Sequence, residues 1–211
     1  KPWRDTRGNA LRVYDKIRID DPTGKLADDA TLAAANAHFI AGSYMKADEY
    51  YGDLRKAFPS SEHQFKAHYL GLKTKLLCYQ GSDYAGDALD EGEKLVKQIR
   101  KQFPREAQDE KEFLARAHAE IRFKKAEREW DMAQYFSRRG EYGAARLYQQ
   151  LCIDEYHDTP FADRAKQQLA EQASYPAEPP KYFDWLVEMF PREKPAKPLF
   201  YSDTPAPKAR K

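Results

Sequence analysis

Four stretches of this chain superpose when their prolines are set in register, and that recurrence constrains the fold more than any other feature. Ala10 lies twelve residues before Pro22, Ala47 twelve before Pro59 and Gly92 twelve before Pro104. A fourth copy runs from Ala145 to His157, with His in the proline slot. Three residues after each small residue come Val13, Tyr50, Leu95 and Tyr148. Seven after come Ile17, Leu54, Ile99 and Cys152, and eleven after come Asp21, Phe58, Phe103 and Tyr156. This spacing of small, apolar, apolar and aromatic residues marks one face of a helix. The small residue lets a neighbouring helix approach closely. The aromatic residue and the proline close the helix, because proline donates no backbone hydrogen bond. A unit repeated on this scale cannot bury its apolar face alone and must stack on its neighbours.

Two copies carry a further element: Gly42-Ser43-Tyr44 before Ala47 and Gly140-Glu141-Tyr142 before Ala145. Glycine ends a preceding helix by adopting the left-handed conformation cheaply, and tyrosine then packs in the corner between two helices. Gly-x-Tyr-x-x-Ala, then a helix and a proline, resembles the tetratricopeptide signature. That resemblance implies an all-α fold, a tetratricopeptide-type α-α superhelix (a right-handed solenoid of antiparallel helix pairs) with a Pro-rich C-terminal tail. The expected helices are Thr6 to Asp20, Asp28 to Ile40, Tyr44 to Phe58, Glu62 to Tyr79, Ala85 to Phe103, Glu106 to Arg139, Tyr142 to Tyr156 and Pro160 to Gln172. The sixth would span about 50 Å at the usual rise. Its apolar stripe is Ala117, Ile121, Ala126, Trp130, Ala133 and Phe136. Ser61-Glu62-His63-Gln64 reads as a capping box, and Thr159-Pro160 as an N-cap with a first-turn proline.

Eight of the 13 prolines follow Ser174, so the repeat domain is expected over 1–172 and a Pro-rich tail over 173–211. One apolar island, Lys181 to Phe190, is expected to form a short helix there and either to dock on the body, the favoured reading, or to be taken by a partner.

Composition removes several function classes. The net charge of +2, with both signs interleaved, argues against a nucleic-acid partner. The 10 glycines are too sparse, and long β-branched runs too few, for a β-rich fold. Cys78 and Cys152 are expected as buried free thiols. No apolar run reaches the roughly 20 residues that cross a bilayer. The chain starts at Lys1-Pro2 without Met, as expected of a mature or trimmed product. The five histidines, His38, His63, His68, His118 and His157, form no tight ligand spacing, so no metal or cofactor is expected. Asp20-Asp21 and Asp28-Asp29 fall at helix boundaries, where they read as complements to helix dipoles rather than catalytic acids. With no phosphate loop or nucleophile motif, the chain reads as a binding protein and not an enzyme.

Aromatic and Arg side chains, the usual anchors of protein interfaces, supply the candidate partner-binding residues: Tyr51, Tyr69, Tyr135, Arg138, Arg139 and Arg146. The repeat-packing set is Ala10, Ala47, Gly92 and Ala145 with Gly42, Gly140, Tyr44, Tyr142, Pro22, Pro59 and Pro104.

The run from Ala126 through Glu-Arg-Glu-Trp130-Asp-Met-Ala133-Gln-Tyr135-Phe136-Ser-Arg138-Arg139-Gly140-Glu-Tyr142 to Arg146 continues through Tyr156-His157-Asp158-Thr159-Pro160 to Leu169. It resembles the penultimate repeat of the BamD family of outer-membrane β-barrel assembly lipoproteins. Phe58-Pro59-Ser60-Ser61 resembles that family's turns. The family pattern has proline where this chain has His157, and a further repeat where this chain has its Pro-rich tail. The resemblance implies a periplasmic scaffold on the inner leaflet of the outer membrane, anchored by a lipid on an upstream cysteine. Its implied partners are the POTRA domains of the barrel-inserting subunit and unfolded outer-membrane proteins. Arg138, Arg139 and Arg146 fall on the contact surface the resemblance implies. An envelope-constriction coordinator with the same repeat features is the alternative.

Overall fold

The computed structural model describes residues 5–179, and the apolar island at 181–190 lies outside them. A compact unit covers the chain to Glu178, and a second unit covers Pro179–Lys211. Among the described residues the structure is helical and contains no strand. The helices are α1 (Thr6–Asp20), α2 (Ala27–Ile40), α3 (Tyr44–Ala57), α4 (Gln64–Cys78), α5 (Asp87–Gln102), α6 (Pro104–Asp109), α7 (Lys111–Arg138), α8 (Tyr142–Glu155) and α9 (Pro160–Glu171). Apart from the six-residue α6, each helix packs chiefly on its neighbours in sequence, α5 passing over α6 to meet α7.

The proline register holds down to the backbone. Asp21, Phe58, Phe103 and Tyr156 are the C-caps of α1, α3, α5 and α8, and their N–H groups donate to Ile17, Leu54, Ile99 and Cys152. The glycine elements are equally regular. Gly42 has φ +74° and Gly140 has φ +75°. Gly42 and Ser43 donate to Phe39 and His38, and Gly140 and Glu141 donate to Ser137 and Phe136. Each set is a complete Schellman cap, which occupies carbonyls that α2 and α7 would otherwise leave open. Tyr44 then packs edge-on against Phe39 at 5.6 Å.

Ala47 and Ala145 are 0 % exposed, and Gly92 is buried with Ile121 and Leu72 against it. Ala10 is half-buried, and α1 contains no buried residue. The buried stripe also runs through a position outside the 0, 3, 7, 11 pattern. Four residues after the small residue, Tyr51, Val96 and Gln149 are all 0 % exposed, whereas Val13, three after, is 55 % exposed. Offsets of three and four straddle the 3.6-residue turn, so periodicity alone leaves the choice between them to the packing partner. Burying Leu54, Leu72, Ile99 or Ile121 contributes about 1.5–3 kcal/mol each.

Several local expectations give way to other chemistry. Glu106 to Arg139 is not one helix. It breaks at Glu110, whose carboxylate accepts from Tyr69 Oη at 2.8 Å, leaving α7 with 28 residues, about 42 Å long. The Ser61–Gln64 box does not form. Gln64 Nε2 instead donates to the carbonyls of Leu54 (3.2 Å), Arg55 (3.4 Å) and Phe58 (2.6 Å), closing the end of α3. Thr159 Oγ1 donates back to Tyr156 O at 2.8 Å and does not cap α9, although Pro160 does take the first turn. Among the described residues, the side chain that caps a helix N-terminus is Asp5, which accepts from Gly8 N at 2.9 Å. Asp28 and Asp29 sit in the first turn of α2 as a dipole argument requires, but Asp20 and Asp21 sit at the C-terminal end of α1, where that argument favours cations. Cys152 is buried as expected, whereas Cys78 is only partly so.

The body also extends past Gln172. The segment after α9 folds back onto the start of α8: Gly143 N donates to Ala177 O at 2.8 Å, and Tyr175 meets Tyr142 at 4.8 Å between ring centroids. A Cβ on Gly143 would stand 3.1 Å from both Cβ and O of Ala177, so this close approach depends on glycine.

Ala145→Trp is expected to lower stability by about 1–3 kcal/mol through overpacking, read as a drop in thermal midpoint with the far-ultraviolet helix signal retained below it. An unchanged midpoint would show that Ala145 is not in a closed seam.

Candidate protein-binding surface

The fold places the candidate partner-binding residues in different surroundings. Tyr51 is fully buried and its hydroxyl donates to Asn36 Oδ1 at 2.7 Å, so it is a core residue with no surface for a partner. Tyr69 is half-buried, with its ring 4.8 Å from that of Phe113 and the Lys73 ammonium 4.3 Å above its centroid. Burial and the Glu110 carboxylate push its hydroxyl up to about 12. Tyr69 therefore holds the bend between α6 and α7. Arg146 is half-buried and engaged with its own chain, as Nη1 donates to the carbonyls of Gln172 (3.2 Å) and Tyr175 (3.1 Å) and ties down the returning segment.

Tyr135, Arg138 and Arg139 do share a surface. Arg128, Asp131, Met132, Tyr135 and Arg138 recur along one face of α7 and form one wall of an open cleft of about 660 Å³. The other wall is the loop Ser82–Ala85 between α4 and α5. Tyr84, Met132 and Tyr135 are 57 %, 37 % and 44 % exposed. Arg139 donates to Tyr135 Oη at 2.6 Å and to Glu141 at 2.7 Å, and its guanidinium lies 5.3 Å from the Tyr135 ring centroid. This stacked, bonded pair holds Tyr135 in one orientation. Arg138 is exposed and makes no ion pair among the described residues. Arg128 packs against Gly86, and its Nε is buried without a hydrogen-bond partner. The cleft thus combines exposed rings with guanidinium groups, the side chains enriched at interface hot spots.

A second groove of about 660 Å³ lies between α3, α4 and α5, but its central charges are spent on one another. Lys75 pairs with Asp48 at 2.6 Å and with Glu91. Arg55 Nη1 donates to Ala67 O at 3.0 Å. The next repeat has the same device: Lys125 pairs with Asp90 and Glu93 at 2.6 Å each, and Lys97 adds to Glu93 at 2.7 Å. These lysines are positioning groups that join consecutive repeats.

The sequence reading missed the polar hub that holds α9. Gln172 Oε1 accepts from Ser137 Oγ (3.2 Å) and Gln149 Nε2 (3.1 Å), and Gln134 bonds Gln168 beside it at 2.5 Å. Two glutamine pairs, at 149–150 and 167–168, give no signal for which residue will be buried; Gln149 is 0 % exposed.

Among the described residues no group of three or more His, Cys, Asp or Glu side chains is placed to hold a metal ion. Compared with known proteins, the chain matches no family model and no curated protein.

Glu93 offers a pH test of the ion network. Hydrogen bonds from Lys125 and then Lys97 lower it from the ordinary 4.5 to about 2. A depressed carboxylate stabilises the fold above its unfolded-state value and loses that contribution as pH falls through the folded one. Stability is therefore expected to fall between pH 4.5 and about 2, and Glu93→Gln to flatten that part of the curve while lowering stability at pH 7. Parallel curves for the two proteins in acid would discount the pair.

Proposed function

We propose that this chain is a helical-repeat adaptor that binds another protein through the α7 cleft and acts without catalysis. The observation that carries the reading is the cleft itself: three exposed rings or thioethers, Tyr84, Met132 and Tyr135, flanked by guanidinium groups on a 28-residue helix. Helix α7 fixes the backbone of one wall, and Arg139 holds the Tyr135 ring, so that side chain has less freedom left to lose on binding. The repeat register and the paired Schellman caps support the finer reading of a tetratricopeptide solenoid.

The narrower proposal is a scaffold of the BamD type at the periplasmic face of the outer membrane. It would hold POTRA domains of the barrel-inserting subunit and receive unfolded outer-membrane proteins. Support comes from the resemblance over Ala126–Arg146, the stretch that supplies Tyr135, Arg138, Arg139 and the Gly140 turn. No helix among the described residues is long and apolar enough to cross a membrane; attachment through an upstream lipid is part of this proposal.

The test is direct binding to purified POTRA domains by the wild type and by Tyr135→Ala/Arg138→Glu. Both side chains are exposed, so the double variant is expected to keep its helix signal and melting point. Binding is expected to weaken at least tenfold, the loss of about 1.4 kcal/mol or more that hot-spot truncation produces. No binding by the wild type would remove the POTRA assignment. Full binding by the double variant would remove the cleft from the interface.

A further inference from the structure

We infer that the α7 cleft recognises its partner through a single carboxylate, an Asp or Glu side chain of the partner that pairs with Arg128. This rests on the reading of the cleft as a protein-binding surface and adds the chemistry of what enters it. Among the described residues, every half-buried lysine and arginine but one is matched to an acceptor or a ring. Arg18 pairs with Asp53, Lys75 with Asp48 and Glu91, Lys125 with Asp90 and Glu93, and Arg122 with Asp158. Arg55 and Arg146 donate to backbone carbonyls. Lys73 lies over the Tyr69 ring and Lys124 over the Tyr79 ring. Arg128 is the exception: among the described residues it has no carboxylate, carbonyl or ring as partner.

The fold nevertheless makes room for this guanidinium. It lies against the Cα of Gly86, where a Cβ would overlap it. Nε is shut off from solvent without a partner, which leaves the two Nη groups as the reachable edge. Arg128 lines the cleft, with Met132 one turn along α7 and Tyr135 two turns along, about 6 and 10 Å away by the helical rise. Tyr84 lines the cleft from the loop opposite.

A half-buried charge without an acceptor costs free energy in the unbound protein. An acceptor brought by the partner removes that cost, and a carboxylate fits the planar guanidinium fork. The rim narrows the choice of anion. Asp83 and Asp131 line the same cleft, are exposed and make no ion pair among the described residues. A dianionic phosphate or a run of acidic residues would meet like charge there. One carboxylate set among apolar groups is the anion this lining accommodates best: the charge meets Arg128 and the neighbouring apolar groups meet Met132, Tyr84 and Tyr135.

Arg128→Met separates recognition from structure. It replaces an unpaired charge by an apolar chain of similar reach, so the thermal midpoint of the free protein is expected to hold or rise. A lowered midpoint would make Arg128 a structural group and overturn the inference. Binding to purified POTRA domains is expected to weaken about tenfold or more and to become less sensitive to salt. Full binding by Arg128→Met would overturn the inference while leaving the cleft reading to its own double variant. A second probe does not depend on POTRA domains: a blocked dipeptide of phenylalanine and glutamate, titrated beside its glutamine analogue and followed by nuclear magnetic resonance. The wild type is expected to prefer the glutamate form and Arg128→Met to bind both alike. A wild type that fails to bind POTRA domains but keeps this preference would remove that partner and support the carboxylate site. Equal binding of the two dipeptides by the wild type, or a preference that survives in Arg128→Met, would overturn it.

Discussion

Close approach of helices at three small residues is the constraint on which the structure depends. Ala47, Gly92 and Ala145 each sit where a neighbouring helix leaves no room for a larger group, and at Gly92 even a Cβ would stand 3.2 Å from Ile121 Cδ1. Because interiors are packed to crystal density, a helix displaced at one slot disturbs the apolar residues of the helices packed against it. The four C-caps, the two Schellman turns and the nearest-neighbour packing all follow from keeping these seams closed over a short helix that must then reverse.

Polar side chains do more between repeats than apolar ones alone would require. Lys75 and Lys125, with side chains only 12 % and 14 % exposed, each bridge two carboxylates. Gln64 closes the end of α3, and Gln172 binds α7 and α8 to the end of α9. A buried polar group left unpaired costs about 1–3 kcal/mol, so these contacts penalise alternative registers that hydrophobic packing would tolerate. Their effect is on specificity of assembly, complementing the small-residue seams.

The same economy separates the arginines. Arg55 and Arg146 spend their donors on backbone carbonyls and belong to the body. Arg138 and Arg139 remain at the surface of α7 beside Tyr135 and are the groups with chemistry to offer a partner. Nothing in the residue type distinguishes the two pairs; the distinction is whether a backbone carbonyl lies within reach, of helix α4 for Arg55 and of the returning segment for Arg146.

The sequence by itself determined most of the helices, most of their ends and three of the slots where they meet. Each of these is set by chemistry local to a dozen residues: glycine at positive φ in positions 42 and 140, an aromatic C-cap followed by proline, and a small residue every repeat. α1 was legible to the residue, and the other expected helices to within two residues at almost every end. The tertiary structure alone decided which of two adjacent positions faces the core, because offsets of three and four are equally compatible with a helical turn. For that reason Tyr51 is core while Tyr50 is only half-buried. It also decided the break at Glu110, the use of Gln64 and Thr159 away from their expected caps, the bonds from Arg146 to the carbonyls of Gln172 and Tyr175, and the closing of the cleft by Ser82–Ala85. All but the Thr159 turn, which closes on Tyr156 three residues back, depend on groups from separate helices, turns or the returning chain, whose proximity no local pattern encodes.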